Sequence, residues 1–335
     1  TIRLWPLPGN ANRKVKTLVL PQGSTNAFWC IDSHSHFLVG GGFFGAFFVV
    51  PLDGSSPREL GDFAGNTVSE TCAVSPGGRL VAAAPRYGED KTLRVWDVET
   101  GDERVFDLPE GSPSADPAIR GLVWNVSFAD ESTLFTDGDG GVRRWNLETG
   151  THELIYPVPE GRGALASFDP RVRRALITVG PLDWSEVEEA QLPELVDLET
   201  GESRELSGFG SDLGFIAGWA KNGEVLVAGS ASGIIRIGKI TGGEPHLLVG
   251  HKGPTNMVTA SRDGRWIAST GEDDTLRLWP MPDLDKPPLH TLPHGELIAK
   301  LRSLTNIRVV RDPDAEDGWS VTLDPFPGWA EVPEW

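Results

Sequence analysis

Four stretches of the chain share one pattern: TIRLWPLPG at 1 to 9, TLRVWDVETG at 92 to 101, GVRRWNLETG at 141 to 150 and TLRLWPMPD at 275 to 283. Each joins a β-branched or leucine-rich alternating run to a tryptophan, and then to a turn rich in Gly, Asp, Glu or Pro. That is the sequence of a strand ending in a tight reversal. Three degenerate copies become visible once the spacing is known: AFFVVPLDG, PELVDLETG and IIRIGKITG carry Val50, Val196 and Gly238 where the tryptophan stands elsewhere. The series Trp5, Val50, Trp96, Trp145, Val196, Gly238, Trp279 advances in steps of 41 to 51 residues. Seven copies over residues 1 to 292 point to one large repetitive domain rather than two ordinary ones.

One period divides into four strands. In the last copy these are PHLLVG (245 to 250), NMVTAS (256 to 261), WIAST (266 to 270) and TLRLWP (275 to 280), which we term d, a, b and c. Other copies join a to b through SPGG at 75 to 78, ADES at 129 to 132, DPRV at 169 to 172 and AKNG at 220 to 223, all four-residue reversals. Side chains preceding that turn are apolar or small at alternate positions (Val126 and Phe128, Cys72 and Val74, Ala217 and Trp219), while strand c carries Arg94, Arg143 and Arg277. A four-stranded antiparallel sheet repeated at this period cannot bury both faces alone. Radial stacking does so and leaves only short edges, so the sequence predicts an all-β, seven-bladed β-propeller of four-stranded antiparallel sheets. Before residue 290, only WSEVEEAQL at 184 to 192 has helical periodicity.

At this point the chain resembles the WD-repeat family, whose Trp-Asp dipeptide stands intact as Trp96-Asp97. The family's signature is a buried hydrogen-bonded set: a His after Gly before strand a, a Ser or Thr on strand b, an Asp four residues on, and a Trp six beyond that. Gly250-His251, Ser269, Asp273 and Trp279 match it in the last copy. The resemblance implies a structural role, since each buried polar atom needs a partner. The same three residue types also occur in nucleophilic catalysis, but a serine inside strand b beside an indole has no access to substrate. Asp90 and Asp139 also lie six residues before their tryptophans, yet counting back four puts Arg86 and Phe135 at the serine position, and no Gly-His precedes either. The full set is carried to the last copy alone.

The count of strands is uneven: seven c, seven d, and six a-b pairs. The chain starts at a strand c, with Thr1 in place of an initiator methionine, which reads as a segment cut from a longer polypeptide. From 293 to 335 the repeat gives way to an extension. HGELIAKLRSLT (294 to 305) predicts an amphipathic helix opened by Glu296, and NIRVVRD (306 to 312) and WSVTLDPF (319 to 326) alternate like paired strands. This hairpin either supplies the missing a and b strands or packs as an extra edge while those strands lie upstream. Such a tail resembles that of bacterial multidomain proteins carrying WD repeats behind a serine/threonine kinase or a signalling nucleoside triphosphatase. The domain division read from the sequence is therefore 1–292, propeller, and 293–335, C-terminal helix and hairpin packed on it or closing it.

Composition narrows the partners. A net charge of −18 repels nucleic acid and anionic lipid at long range, and no stretch reaches the roughly 18 apolar residues of a membrane span. Neither nucleic-acid binding nor membrane insertion is expected. Cys30 and Cys72 fall one position out of step on neighbouring strands, so both read as small buried hydrophobes in a reducing, cytoplasmic compartment. There is no P-loop, metal-spaced cysteine set or nucleophile elbow, so no cofactor, metal or catalytic residue is assigned. His34 and His36, the one close histidine pair, align with an a-b turn and read as solvated.

In a propeller the d-a and b-c loops share one face and the a-b and c-d turns the other. Here the first set is longer, with 84–90, 108–120 and 180–193, the last carrying Trp184 and Glu186, which read either as an aromatic anchor with a charged rim or as a solvated loop with Trp184 folded onto the neighbouring blade. The residues opening strand a, Val68, Leu122, Arg162, Leu213 and Pro254, are expected to line that face's central rim. The function expected is non-enzymatic recognition of a protein or peptide, within a larger bacterial signalling protein. A propeller hydrolase or lyase with its site in the central channel is the alternative.

Overall fold

The computed structural model describes residues 2–4, 16–18, 28–34, 36–42, 46–64, 67–69, 71–111, 121–181, 192–261, 263–304, 307–311 and 319–323. The chain divides into two compact units, Thr1–Ile216 and Ala217–Trp335.

In the first unit, β1 (Ile2–Leu4) and β2 (Lys16–Leu18) form a two-stranded antiparallel ladder. Then come three four-stranded meanders: β3 (Phe28–His34), β4 (Phe37–Gly42), β5 (Phe47–Pro51), β6 (Arg58–Gly61); β7 (Thr71–Val74), β8 (Leu80–Ala84), β9 (Thr92–Asp97), β10 (Glu103–Asp107); and β11 (Val123–Phe128), β12 (Thr133–Gly138), β13 (Gly141–Asn146), β14 (Thr151–Pro157). A fourth comprises β15 (Arg162–Phe168), β16 (Arg174–Pro181), β17 (Glu194–Asp197) and β18 (Ser203–Glu205). β19 (Leu213–Ala220) crosses the division and begins the next sheet with β20 (Val225–Ser230), β21 (Ile234–Lys239) and β22 (His246–Val249). The second unit continues with β23 (Thr255–Ala260), β24 (Trp266–Gly271) and β25 (Leu276–Pro280) in a three-stranded sheet. It then has helix α1 (His294–Leu304) and the antiparallel pair β26 (Ile307–Arg311) and β27 (Trp319–Leu323).

The predicted c strands fall on β1, β5, β9, β13, β17, β21 and β25. One expected strand does not form. The d strand anticipated after β25 is replaced by a path through Pro282, Pro287 and Pro288 into a 3-10 turn at Leu289–Thr291, because prolines remove the donors a ladder needs. The helical reading of 184 to 192 lies outside the described residues, apart from Leu192 at its edge.

Within the first unit the sheets cover each other's faces. Along β8, Val81 and Ala83 join Val39, Phe47 and Trp96 in one core, while Ala82 and Ala84 join Val126, Leu134 and Trp145 in the next. Along β12, Leu134 looks one way and Phe135 the other, toward Ala164, Ile177 and Val196. Strand alternation thus sends successive side chains to opposite neighbours, each buried aliphatic contributing about 1.5–3 kcal/mol. This all-β arrangement of stacked antiparallel meanders is consistent with a WD-repeat propeller.

Three c-d turns are one device. Oδ1 of Asp97 accepts N–H bonds from Glu99 and Thr100 at 2.9 and 3.1 Å, Asn146 does the same for Glu148 and Thr149, and Asp197 for Glu199 and Thr200. The glycine that follows takes φ of +82°, +73° and +74° at Gly101, Gly150 and Gly201, which is why the sequence reads ETG each time. The Asp of the Trp-Asp dipeptide therefore caps a turn. Its carboxyl is held below the usual range by the Thr100 amide and by Arg79.

Candidate functional site

The second unit brings His251, Ser269, Asp273 and Trp279 together. β24 supplies Ser269, β25 supplies Trp279, the turn between them supplies Asp273, and His251 leads into β23. Trp279 Nε1 donates to Ser269 Oγ at 2.9 Å, Ser269 Oγ lies 2.8 Å from His251 Nε2, and His251 Nδ1 lies 2.9 Å from Asp273 Oδ1. One proton arrangement satisfies all three contacts: indole to hydroxyl, hydroxyl to Nε2, Nδ1–H to carboxylate. Asp273 also accepts from the Lys252 amide at 3.0 Å, the Thr275 hydroxyl at 2.6 Å and Arg277 at 3.2 Å. The Thr275 hydroxyl, then the His251 ring and the Lys252 amide, hold its carboxyl far below the usual range.

This is a closed relay. Ser269 is 2% exposed and His251 7%, and the serine hydroxyl is engaged on both sides. Gly250 completes it from behind, since a methyl there would meet the Trp279 ring at 2.7 Å.

The register shows where other copies keep part of the set. Ser269 stands opposite Arg277 in the β24–β25 ladder, Thr136 opposite Arg143 in β12–β13, and Ala83 opposite Arg94 in β8–β9. The serine equivalents are therefore Thr136 and Ala83. Phe135 and Arg86, reached by counting back from Asp139 and Asp90, are displaced because the b-c turns differ in length. Thr136 Oγ1 accepts from Trp145 Nε1 at 2.9 Å. Ala83 offers nothing, and Trp96 Nε1 is buried with no acceptor. Gly61 presses on Trp96 as Gly250 does on Trp279, a methyl there meeting Nε1 at 2.7 Å. Asp90 is tied to Arg94 at 2.8 Å and to the Ala64 amide at 3.0 Å. Burial opposes its ionisation, yet Thr92, Ala64 and Arg94 keep its carboxyl below the ordinary value.

A further buried carboxylate went unread in the sequence. Asp137, 2% exposed, accepts from the Asn125 amide at 2.7 Å, from Asn125 Nδ2 at 2.9 Å and, at short range, from the Ala166 amide of β15. Burial pushes it up to about 7 against those donors. Asp32 likewise takes the Val74 amide at 2.8 Å, and Thr71 the Val126 amide at 3.0 Å, so polar side chains cross-link successive inner strands of the first unit. The available signal was an isolated Asp inside the otherwise apolar runs LFTDG and WCID.

The expected partner face is only partly a surface. Val68 and Leu122 are 5% and 2% exposed. Val68 is drawn in by a bridge to Tyr87 and Leu122 by its carbonyl accepting the Asp139 amide at 3.1 Å. Both precede their strands rather than open them. Arg162, which opens β15, and Pro254, just before β23, are half-buried. Leu213 opens β19, and its side chain, like Trp184 and Glu186, lies outside the described residues. In the first unit the loop asymmetry is partial: the β8–β9 and β10–β11 connections span 85–91 and 108–122, against 75–79, 98–102 and 129–132 for the β7–β8, β9–β10 and β11–β12 turns, but the β12–β13 and β14–β15 connections of the first face take only 139–140 and 158–161. His36 is exposed in the β3–β4 turn. Among the described residues no group of three or more His, Cys, Asp or Glu is placed to hold a metal, and no helix is long and apolar enough to cross a membrane. Cys72, expected to be buried, is half-buried, its thiol donating to the Val39 carbonyl at 3.9 Å.

Comparison with known proteins agrees with this geometry. The family described as WD domain, G-beta repeat matches residues 58–97 and 243–280, which are β6 to β9 and the stretch ending with β22 to β25. The chain is similar to telomerase protein component 1 of Rattus norvegicus, 25% identical over 63% of this chain and 8% of that protein. It is similar to serine-threonine kinase receptor-associated protein of Gallus gallus, 27% identical over 57% and 50%. WD repeat-containing protein 55 of Pongo abelii is 27% identical over 62% and 61%. The chain thus spans less than two thirds of these relatives. The matches support a WD-repeat family, and these relatives are eukaryotic.

Proposed function

We propose that this chain is a non-enzymatic scaffold that binds a protein or peptide on the face carrying the b-c and d-a loops. The observation that supports it most directly is the length of particular connections on that face in the first unit, β6–β7 at 62–70, β8–β9 at 85–91, β10–β11 at 108–122 and β16–β17 at 182–193, since a face that only closed sheets would need no more than the two- to six-residue turns of the other. The sealed relay of Ser269, His251 and Asp273 supports the non-enzymatic part. A seven-bladed propeller is the architecture we assign to the seven-copy repeat. The exposed face of β23–β25 supports a further sheet: Leu276 and Leu278 are 68% and 40% exposed, while their counterparts Leu93, Val95, Ile235 and Ile237 are fully buried. The hairpin β26–β27 is our candidate for that sheet's inner strands. Membership in a larger bacterial signalling protein is supported by the resemblance of the C-terminal tail alone.

The test is affinity capture with the full chain, with 184–192 deleted, and with Glu99→Lys/Glu148→Lys on the c-d turns. The captured set is expected to be lost with the deletion and kept with the turn variant, both folding as the parent does by circular dichroism. Retention after the deletion overturns the loop-face assignment.

A further inference from the structure

The inner strands of the first unit, β3, β7, β11 and β15, meet at a fixed step. Leu38, Val81, Leu134 and Ala175 stand opposite Val50, Trp96, Trp145 and Val196 at the close of strand c. Their partners on the inner strands are Ser33, Val74, Phe128 and Phe168, which serve as markers of a common register. The residue three places before the marker in one sheet reaches the residue two places before it in the next. Thr71 Oγ1 accepts the Val126 amide at 3.0 Å, and Asn125 Nδ2 donates to the Ala166 carbonyl at 3.4 Å. Asp32, one place before its marker, likewise takes the amide of Val74, itself a marker, at 2.8 Å, so the first and second sheets keep the same step.

In the first two sheets those places hold Cys30 and Cys72. β3 and β7 lie side by side. The ladder from Cys30 to Asp32 is regular, opposite Gly41, Gly40 and Val39, so Cys30 shares the face of β3 on which Asp32 meets β7. Cys72 belongs to the opposed face: its thiol donates to the Val39 carbonyl of β4 at 3.9 Å, and it packs on the core that Val39, Phe47 and Val49 share with Val81 and Trp96. Standing one place out of step therefore sets the two cysteines on faces that meet. A side-chain oxygen 3.0 Å from an amide nitrogen, as at Thr71 and Val126, keeps the two Cα atoms within about 7 Å, the limit of what a disulfide spans.

We propose that Cys30 and Cys72 are a redox pair, which closes to a disulfide joining β3 to β7 when a small-molecule disulfide such as oxidised glutathione is in excess. The step is thiol–disulfide exchange. The thiolate of Cys72, which is half-buried and so within reach of solvent, attacks one sulfur of the small disulfide, breaking its S–S bond and releasing one small thiolate. The Cys30 thiolate then attacks the Cys72 sulfur and releases the second. Two protein thiols are oxidised to one S–S bond, the small disulfide is reduced to two thiols, and the two cysteine protons pass to the departing thiolates. The bond ties the inner strands of two successive sheets, and the proposal stands whether or not the loop face binds a partner.

The experiment equilibrates the full chain in mixtures of reduced and oxidised glutathione, quenches with an alkylating reagent and maps the cysteines by peptide mass spectrometry. The chain has two cysteines, so the expected product is a monomer with no free thiol, no bound glutathione, and the peptides of Cys30 and Cys72 linked to each other. Cys30→Thr copies the residue that the second sheet has at this place, and is expected to fold as the parent does by circular dichroism and to stop at an adduct of Cys72 with glutathione. Cys72→Val, copying the third sheet, is expected to stop at the Cys30 adduct. Oxidation is expected to raise the melting temperature of the parent and of neither variant, because only the parent gains a cross-link. Glutathione on both cysteines of the parent, dimers linked through them, or thiols that stay reduced in a large excess of oxidised glutathione overturns the proposal.

Discussion

Replacing Ala83 with serine should stabilise the protein, which is unusual for a polar substitution in a fully buried strand. Ala83 is 0% exposed and lies two positions from Val81, the residue opposite Trp96. The same offset carries Thr136 from Leu134, opposite Trp145, and Ser269 from Ile267, opposite Trp279. Those hydroxyls accept the indole N–H at 2.9 Å in both places. Trp96 Nε1 has no acceptor, and a buried unpaired donor costs about 1–3 kcal/mol. A serine hydroxyl there recovers part of this, less the cost of desolvating the hydroxyl, for a net gain of about 1 kcal/mol. Urea unfolding followed by tryptophan fluorescence should show a higher midpoint at unchanged slope. The decisive control is Trp96→Phe: with no indole N–H to satisfy, Ala83→Ser should become neutral or destabilising. Equal effects of the substitution in both backgrounds would refute the reasoning.

Thr136→Ala should do the reverse, leaving Trp145 Nε1 unpaired at a cost of about 1–2 kcal/mol by the same unfolding assay. His251→Ala strands the Ser269 hydroxyl and should cost about 2 kcal/mol, with the far-ultraviolet spectrum kept; an unchanged midpoint would show that the relay is not holding β24 and β25 together. Asp137 should titrate near pH 7 by carbon-13 chemical shift of its carboxyl, and a midpoint below 5 would contradict the burial argument. Its folded value lies above the unfolded value of about 3.9, so its contribution to stability is fully present below about pH 4 and is lost as pH rises toward about 7.

The repeat was legible because a tryptophan closing an alternating run is conspicuous, and it located all seven c strands. The relay in the last copy was legible because its four residue types stand at family spacing. Thr136 was not, since counting back from the turn aspartate fails when turn length varies: Ser269 precedes Asp273 by four positions, Thr136 precedes Asp139 by three, and Ala83 precedes Asp90 by seven. The cross-strand arginine is the reliable ruler, because ladder register is fixed by pairing and not by the turn. Val68 and Leu122 were misjudged for a related reason. Apolar residues beside a strand start read as a rim, but backbone bonds outside the regular ladder turn them inward. The missing last d strand was written in Pro287 and Pro288 and overlooked under the pull of the period.

The same ruler explains how the degenerate copies tolerate losing their tryptophan. Where strand c has Val50, Val196 or Gly238, its b-strand neighbours are Leu38, Ala175 and Leu226, and the position two further on holds Gly40, Ile177 or Ala228, none of which has a hydroxyl. Where strand c has Trp145 or Trp279, that position is Thr136 or Ser269. Acceptor and indole are kept or lost together, as expected if the hydroxyl exists to satisfy the N–H, because a buried hydroxyl without its indole would itself want a partner. Among the six described b-c pairs, Ala83 with Trp96 alone breaks this rule. There Phe47 stacks on the indole at 5.5 Å between ring centres and Phe63 meets it edge-on at 6.5 Å. Aromatic packing holds the Trp96 ring, as Phe106 and His152 hold Trp145, but it supplies no acceptor for the indole N–H, which is the deficit that Ala83→Ser addresses.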